Sequence, residues 1–374
     1  MANPLQEIIT ERIQAEGPIS VAEYMRLCLS HPEHGYYNTR DPFGVEGDFT
    51  TAPEISQMFG EMIGAWIADS WMKMGAPDKF YLLECGSGRG TLVHDILRAT
   101  KNLDGFHEAV EIHLMEMSPV LKEKQHETLK EWCDAGISVT WCADLKTLLD
   151  DAPVIFIGNE FLDALPVHQY TYTDAGWVEN YIEIDKNASF RYCQKSVKNE
   201  ENKAFPTMMF PPKMGEQMEL SCDQIEFVTE IKNIIQKQGG IALFIDYGFT
   251  IPVYGTTLQA VMNHQYRNIF DTPGECDLTA HVNFAHLSEV ILQNDMTLFG
   301  PVSQRNFLTR LGIEVRAGHL KKNASVQQAQ DIQAALSRLI GTDTKGGKAG
   351  GEMGELFKVI AFTSNPDLNL EGFS

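Results

Sequence analysis

The stretch YLLECGSGRGTL, residues 81–92, decides the fold class of this chain. An apolar run leads into an acid, Glu84, and the glycines Gly86, Gly88 and Gly90 then alternate with other residues. Glycines let a strand turn sharply into a helix while the backbone comes into van der Waals contact with a ligand. The stretch therefore predicts a strand, a nucleotide-binding turn and a helix.

The spacing of these glycines separates two classes of ligand. The dinucleotide fingerprint is G-x-G-x-x-G, and counted from Gly86 its last position is Thr91, which is not glycine. The pattern here, E-x-G-x-G-x-G, is the first motif of class I S-adenosylmethionine (AdoMet) methyltransferases. AdoMet has no pyrophosphate for a helix N-terminus to bind, but its α-ammonium suits an acid such as Glu84. AdoMet is therefore the predicted cofactor, and an NAD(P)-dependent oxidoreductase is the less favoured alternative.

Two further acids follow the next predicted strands. HLMEMSP places Glu116 after the second strand, where an acid can accept hydrogen bonds from ribose hydroxyls. VTWCADL places Asp144 after the third strand, where an acid can lie near the adenine amino group. Three acidic or glycine motifs in order, each after a predicted strand, favour an AdoMet pocket over an isolated structural turn.

The surrounding sequence predicts an α/β fold. Apolar runs near residues 80–85, 110–115, 137–141, 153–157 and 241–248 alternate with helical patterns, which indicates a doubly wound parallel sheet. After Pro166 the pattern changes to period two, typical of antiparallel strands. We predict an N-terminal helical cap and lid loop (1–75), a methyltransferase core (76–166 and 223–363), an inserted β-rich substrate segment (167–222) and a tail (364–374).

Composition limits the classes of function. The formal net charge of −21 argues against a nucleic-acid binder, which would show a basic surface. The seven cysteines are scattered, with no C-x-x-C pair, and indicate a reducing compartment. No segment has the length of a membrane span. We therefore expect a soluble cytoplasmic protein, and we expect His31 and His34 to serve packing rather than a metal site.

Several sequence blocks resemble one known family. The blocks are GDFTTAPEISQMFGEMIGAW, VIFIGNEFLDALPVHQY, FIDYG, GECDLTAHVNF and GELFKVIAF. In this order they are similar to the MidA-type family of AdoMet-dependent protein arginine methyltransferases, over nearly the whole chain. The resemblance implies a Rossmann-like methyltransferase sheet. Mitochondrial members act in assembly of respiratory complex I, which implies a protein partner with an exposed arginine, for example a respiratory-complex subunit.

The site of the methyl acceptor is expected after the fourth strand. GNEFLDALP places Asn159, Glu160 and Asp163 there, and a guanidinium substrate needs carboxylates for bidentate hydrogen bonds. We predict Glu160 and Asp163 as guanidinium partners, although Asp163 could instead cap the backbone. Asp246, at the end of the fifth strand, is a second candidate for substrate contact, and His281 is a candidate base or orienting residue.

The family resemblance also implies a lid over the cofactor. The loop GDFTTAPEISQ would then bring Thr51, Glu54 and Gln57 near the methionine moiety of AdoMet and exclude water. Thr51 could alternatively cap the following helix. A different class of function also stays open: an AdoMet-binding assembly factor that acts by protein contact rather than by catalysis.

Overall fold

The computed structural model of the chain describes residues 3–39, 50–147, 151–197, 205–293, 295–343 and 352–374. Residues 40–49, which include the first three residues of the predicted lid loop (47–57), lie outside these ranges. Among the described helices, none combines the length and the apolar composition needed to cross a membrane.

Strands and helices alternate as the sequence predicts. The strands are β1 (Ile19–Ser20), β2 (Phe80–Cys85), β3 (Val110–Met115), β4 (Ser138–Cys142), β5 (Val154–Asn159), β6 (His168–Thr173), β7 (Gly176–Ile184), β8 (Phe190–Ser196), β9 (Gln217–Leu220), β10 (Gly240–Phe249), β11 (Gln259–Met262), β12 (Gln265–Arg267), β13 (Asp277–Thr279), β14 (Val282–Asn283), β15 (Thr297–Ser303) and β16 (Phe357–Thr363). The α-helices are α1 (Pro4–Glu16), α2 (Val21–Ser30), α3 (Tyr36–Thr39), α4 (Ala52–Ile55), α5 (Gln57–Lys73), α6 (Thr91–Thr100), α7 (Phe106–Ala109), α8 (Pro119–Asp134), α9 (Cys222–Gln238), α10 (Phe284–Ile291), α11 (Gln304–Arg310), α12 (Ile313–Lys321) and α13 (Val326–Ile340). Short 3₁₀ helices span Leu145–Thr147 and Leu162–Ala164.

The central sheet has the strand order β15-β16-β10-β5-β2-β3-β4, and β14 pairs with β10. The strands from β10 to β4 in this order are parallel, while β16 runs antiparallel to β10 and β15 antiparallel to β16. The chain runs outward from β2 to β4 and then returns to β5 on the other side of β2. Ligands bind at such a switch point, outside the carboxyl ends of the strands.

Helices cover both faces of this sheet, which confirms the predicted α/β class. Successive residues of a strand point to opposite faces, so Leu82 packs in the layer that contains α5 and α6, and Leu83 packs in the layer that contains α9 and α10. Because both faces are buried, β2 and β5 are apolar along almost their whole length rather than alternating.

The predicted antiparallel insertion is also present. Strands β6 to β9 form an antiparallel sheet, to which β1 adds by pairing Ile19 with Ile182. Helices α1 and α2 pack on this sheet, and their buried residues share one apolar cluster with Val167 and Phe190. The N-terminal cap, residues 3–39, is therefore attached to the insertion.

Three segments lie elsewhere than the predicted domain boundaries put them. Helix α5 packs in the sheet core because it is buried nearly all round, with Trp66 1% exposed. The expected tail packs there too, and the Trp66 indole donates to the carbonyl of Glu371. Residues 259–279, within the predicted methyltransferase core, form β11 to β13, a ribbon that packs with the cap. Its strands are too short to show a period, and its hairpin turn uses positive φ at Asn263 and His264.

Candidate active site

The glycine turn joins β2 to α6 at the carboxyl edge of the sheet. Gly86, Gly88 and Gly90 have φ values of 68°, 51° and 82°, a region that residues with a Cβ rarely adopt. A Cβ on Gly86 would lie 2.8 Å from Cδ2 of Phe161, so this glycine also makes room for the loop after β5. Gly86 and Gly88 line the main cavity of the molecule, whereas Gly90 packs against Gln125.

The main cavity has a volume of about 620 Å³, within the range of small-molecule sites. The carboxylate residues that line it are Glu116, Asp144, Glu160, Asp163, Glu230, Asp277 and Glu352. Among the described lining residues, Arg338 is the one lysine or arginine. An excess of negative charge in a cleft attracts cations. The cavity therefore suits both a cationic cofactor and a cationic acceptor.

Two polar atoms at the strand ends lack a hydrogen-bond partner within the described part of the chain. These atoms are Oε2 of Glu84, in β2, and Oδ1 of Asn159, at the end of β5. Both residues are at most 8% exposed, and burial raises the pKa of Glu84 to about 8. Both line a small recess that shares Gly86, Gly88 and Glu160 with the main cavity. Buried polar atoms are normally paired, so the α-ammonium of AdoMet fits these acceptors.

Glu116 is held in place at the end of β3. Its Oε1 accepts the backbone N–H groups of the next two residues at 2.9 and 2.8 Å, and its Oε2 accepts Nε2 of Gln125 at 3.1 Å. A carboxylate has further lone pairs for ribose hydroxyls. The same Gln125 amide donates to the carbonyl of Gly88 at 2.8 Å and so connects the acid to the glycine turn. Asp144 is exposed and lines the same cavity.

Gln125 is a site residue that the sequence analysis missed. It is fully buried in α8, in the row Leu121, Gln125 and Leu129, where spacing of four residues puts all three on one helix face. In the sequence, the feature that could have indicated its role was one glutamine between two leucines on the same apolar helix face. The structure shows that it supports the cofactor end of the cavity.

The predicted lid residues divide between the recess and the surface. Thr51 is buried and lines the recess with Glu54, whose Oε1 accepts the Thr91 hydroxyl at 2.5 Å. Thr51 makes no side-chain capping bond to α4. Gln57, by contrast, is the exposed first residue of α5 and lines neither the cavity nor the recess. The Gln57 side chain therefore faces solvent.

Glu160 and Asp163 lie together in the acceptor loop, residues 160–165. Oε1 of Glu160 accepts the backbone N–H of Ala52 at 2.9 Å and the Asn159 amide at 3.2 Å. Its backbone has φ of 52°, an uncommon conformation for a residue with a side chain. Burial raises the pKa of Glu160 to about 7 and that of Asp163 to about 6. Burial in the cavity wall thus disfavours the ionised forms of both carboxylates, and a cation bound beside them would favour those forms.

Asp246 has a different position from the one expected of a substrate contact. It is 0% exposed and lines neither the cavity nor the recess. Its Oδ2 accepts the backbone N–H groups of Phe161, Leu162 and Asp163 at 3.1, 2.9 and 3.2 Å. Burial raises its pKa, and the charges of Asp163 and Glu160 raise it further. The carboxylate therefore points at the loop backbone, because those three N–H groups have no strand partner to satisfy them.

His281 does line the main cavity. Its backbone N–H donates to the Thr257 hydroxyl at 2.9 Å, and its ring packs edge-on against Tyr247, with centroids 5.1 Å apart. Burial lowers its pKa, so the neutral imidazole is favoured. The cavity wall also contains Tyr37 and Asp277, to which the sequence analysis gave no role in the site.

The histidines of the cap pack against each other. The rings of His31 and His34 stack with centroids 5.4 Å apart, and Nδ1 of His31 faces the backbone N–H of His34 at 3.2 Å. Across the described ranges of the chain, no cluster of three or more His, Cys, Asp or Glu side chains is arranged to hold a metal ion.

Comparisons with known proteins place the chain in a family. The family model described as "Putative S-adenosyl-L-methionine-dependent methyltransferase" matches residues 62–302. The mouse protein named "Protein arginine methyltransferase NDUFAF7, mitochondrial" is 36% identical over 353 residues, covering 87% of this chain and 78% of the mouse protein. Its Caenorhabditis elegans homolog is 33% identical, with 88% and 81% covered. A Burkholderia thailandensis protein crystallised with S-adenosyl-homocysteine superposes with a TM-score of 0.82 at 28% identity, covering 99% of this chain and 94% of that one.

Proposed function

This chain belongs to the family of S-adenosyl-L-methionine-dependent methyltransferases, and from that premise we propose that it methylates an arginine guanidinium nitrogen of a protein partner. The membership confirms the predicted cofactor and the predicted enzyme class. AdoMet, when bound, supplies an electrophilic methyl group on its sulfonium. The names of the mouse and C. elegans relatives support arginine as the acceptor.

The observation that carries the proposal is the pair of carboxylates beside the glycine turn, half-buried Glu160 and buried Asp163. A guanidinium is a planar fork of N–H donors that matches carboxylate oxygens bidentately. The N–H of Ala52 fixes one oxygen of Glu160 and so fixes the direction from which the fork can be bound. A buried cation would also return both carboxylates to their ionised forms, which burial alone disfavours.

These residues would act by positioning and by taking a proton. Methyl transfer is an in-line displacement, so holding the target nitrogen in line with the methyl group supplies much of the rate. The nitrogen loses one proton as its new bond to carbon forms. With pKa values of about 7 and about 6, Glu160 and Asp163 are both suited to accept that proton near neutral pH. Asp246 would act through the loop backbone rather than by touching the substrate.

Transfer of labelled methyl from AdoMet into a cell lysate, followed by mass spectrometry of the labelled protein, tests the proposal. We expect label on arginine, and Glu160→Gln should reduce transfer at least about a hundredfold while S-adenosylhomocysteine still binds. Glu179→Gln is the matched control, because Glu179 is a buried glutamate, hydrogen-bonded to His168, that lines neither the cavity nor the recess. Label on another residue type would contradict the arginine acceptor.

The partner and the location complete the proposal. We propose that the substrate is a protein such as a respiratory-complex subunit and that this enzyme acts in the cytoplasm. The mouse and C. elegans relatives are named mitochondrial. Growth complementation by a Glu160→Gln protein that transfers no methyl would instead favour assembly by protein contact. Cell fractionation with an antibody against the chain tests the location.

A further inference from the structure

A tyrosine of the N-terminal cap reaches the wall of the main cavity. Tyr37, in α3, donates a hydrogen bond of 3.0 Å to Oδ1 of Asp277, in β13 of the ribbon. Both side chains line the cavity, and Asp277 is 6% exposed. Since the phenol proton is directed to the carboxylate, the lone pairs of the Tyr37 oxygen are left as acceptors. Two segments that are distant in sequence thus present one polar unit to the cavity.

A second tyrosine–carboxylate pair lies nearby. Asp163, in the acceptor loop, lies close enough to Tyr247 from β10 for the phenol to act against the rise in the pKa of Asp163 that burial causes, and both residues line the same cavity. Burial is the largest cause of the raised pKa of Tyr37, and the charges of Asp277 and Asp163 raise it further. Burial is also the largest cause of the raised pKa of Tyr247, and the charges of the same two aspartates raise it further. The two pairs therefore form one electrostatic group.

We propose that these two tyrosine–carboxylate pairs form the guanidinium subsite of the acceptor pocket, in which Tyr37 and Asp277 select an arginine side chain over a lysine. This inference rests on the proposed arginine acceptor. A guanidinium carries N–H donors on more than one edge of a plane, whereas an ammonium is a compact point charge. Acceptors contributed by the cap, the ribbon and the acceptor loop can meet more than one edge of the guanidinium, while Glu160 contacts the nitrogen to be methylated.

The subsite assigns a chemical task to the N-terminal cap. Its packing against the insertion and the ribbon holds α3 in place, because the buried Tyr36 beside Tyr37 belongs to the shared apolar cluster. Removing only the Tyr37 hydroxyl would keep that packing and remove the hydrogen bond to Asp277. The proposal thus concerns the polar atoms of the cap and not its apolar core.

Binding of two small probes to the protein saturated with S-adenosylhomocysteine tests the subsite. The probes are Nα-acetyl-arginine N-methylamide and its lysine counterpart, and saturation-transfer NMR gives their affinities. We expect Tyr37→Phe and Asp277→Asn each to weaken binding of the arginine probe about tenfold or more and to narrow its preference over lysine. S-adenosylhomocysteine affinity should not change. Tyr24→Phe is the matched control, since Tyr24 is a buried phenol of the same cap that donates to the Ile269 carbonyl and lines neither the cavity nor the recess.

The outcomes separate this inference from the proposed function. Unchanged arginine affinity and preference in Tyr37→Phe, with arginine methylation intact in the wild type, would overturn the subsite alone. A wild-type protein that binds neither probe and labels no arginine would overturn the arginine acceptor as well. If the Asp277→Asn variant does not fold, the Tyr37→Phe variant alone tests the subsite, because it retains the packed aromatic ring and removes only the hydroxyl.

Discussion

Ligand binding to this enzyme should depend steeply on pH through Glu84. Burial raises the pKa of this carboxyl to about 8 from a reference of 4.5, so the free protein holds it neutral at pH 7. An α-ammonium ligand needs the ionised carboxylate, and binding must therefore release a proton. In the free protein the raised pKa also means that the free energy of unfolding falls as pH rises through about 8, and Glu84→Gln should remove that loss.

The size of the effect follows from the pKa. About one hundredth of the Glu84 carboxyls are ionised at about pH 6, about a tenth at about pH 7 and about half at about pH 8. The Kd of S-adenosylhomocysteine should accordingly fall about 50-fold between about pH 6 and about pH 8. Close to one proton should be released per ligand bound at neutral pH. This ligand is preferred to AdoMet because it carries the α-ammonium without the sulfonium charge.

Isothermal titration calorimetry in two buffers of different ionisation enthalpy measures both quantities. Methylthioadenosine, which lacks the amino-acid group, should show no such pH dependence. Glu84→Gln should weaken S-adenosylhomocysteine binding and flatten its dependence on pH. A Kd that is constant over this range, or an equal slope in Glu84→Gln, would refute the assignment of the α-ammonium to Glu84.

Three further substitutions test the supporting structure. Asp246→Asn should lower methyl transfer about tenfold or more with unchanged S-adenosylhomocysteine affinity. The reason is that the amide NH₂ of asparagine can face the backbone N–H groups of the acceptor loop, donor against donor. An unaltered rate would contradict the positioning role of Asp246. Burial acts to raise the pKa of Glu61, but hydrogen bonds from Arg316 and Arg98 lower it overall. The stability that the ionised Glu61 carboxylate contributes is therefore lost as pH falls. Urea unfolding should show Glu61→Gln to be less stable by about 1–3 kcal/mol near neutral pH, because both arginines stay partly solvated, and less acid-sensitive. Gly86→Ala should weaken S-adenosylhomocysteine binding about tenfold or more, because the new Cβ would meet Phe161 and φ at this position is positive. Gly17→Ala is the control: φ is also positive there, but the space around the Cβ is open, so the variant should bind the ligand normally.

Much of the fold followed from local sequence. Strand β2 and strand β5 lie where the apolar runs predict them, because a strand buried on both faces needs apolar residues along almost its whole length. Glu84 and Glu116 lie beside the same glycine turn for an equally local reason. Each acid lies at the end of a parallel strand, and parallel strands end at one edge of the sheet.

Long-range packing decided the rest. Tyr37 and Asp277 meet across 240 residues of sequence, and no local pattern encodes a pairing at that separation. Asp246 lies in the predicted fifth strand, but the strand continues to Phe249 and the Asp246 side chain binds the backbone of the acceptor loop. Gln57 faces solvent from the start of a helix. By itself the sequence determined the parallel core strands, the glycine turn and the cofactor, because sterics and periodicity act between near neighbours. Only the tertiary structure decided which side chains face the acceptor, because that depends on how the cap, the ribbon and the sheet pack together.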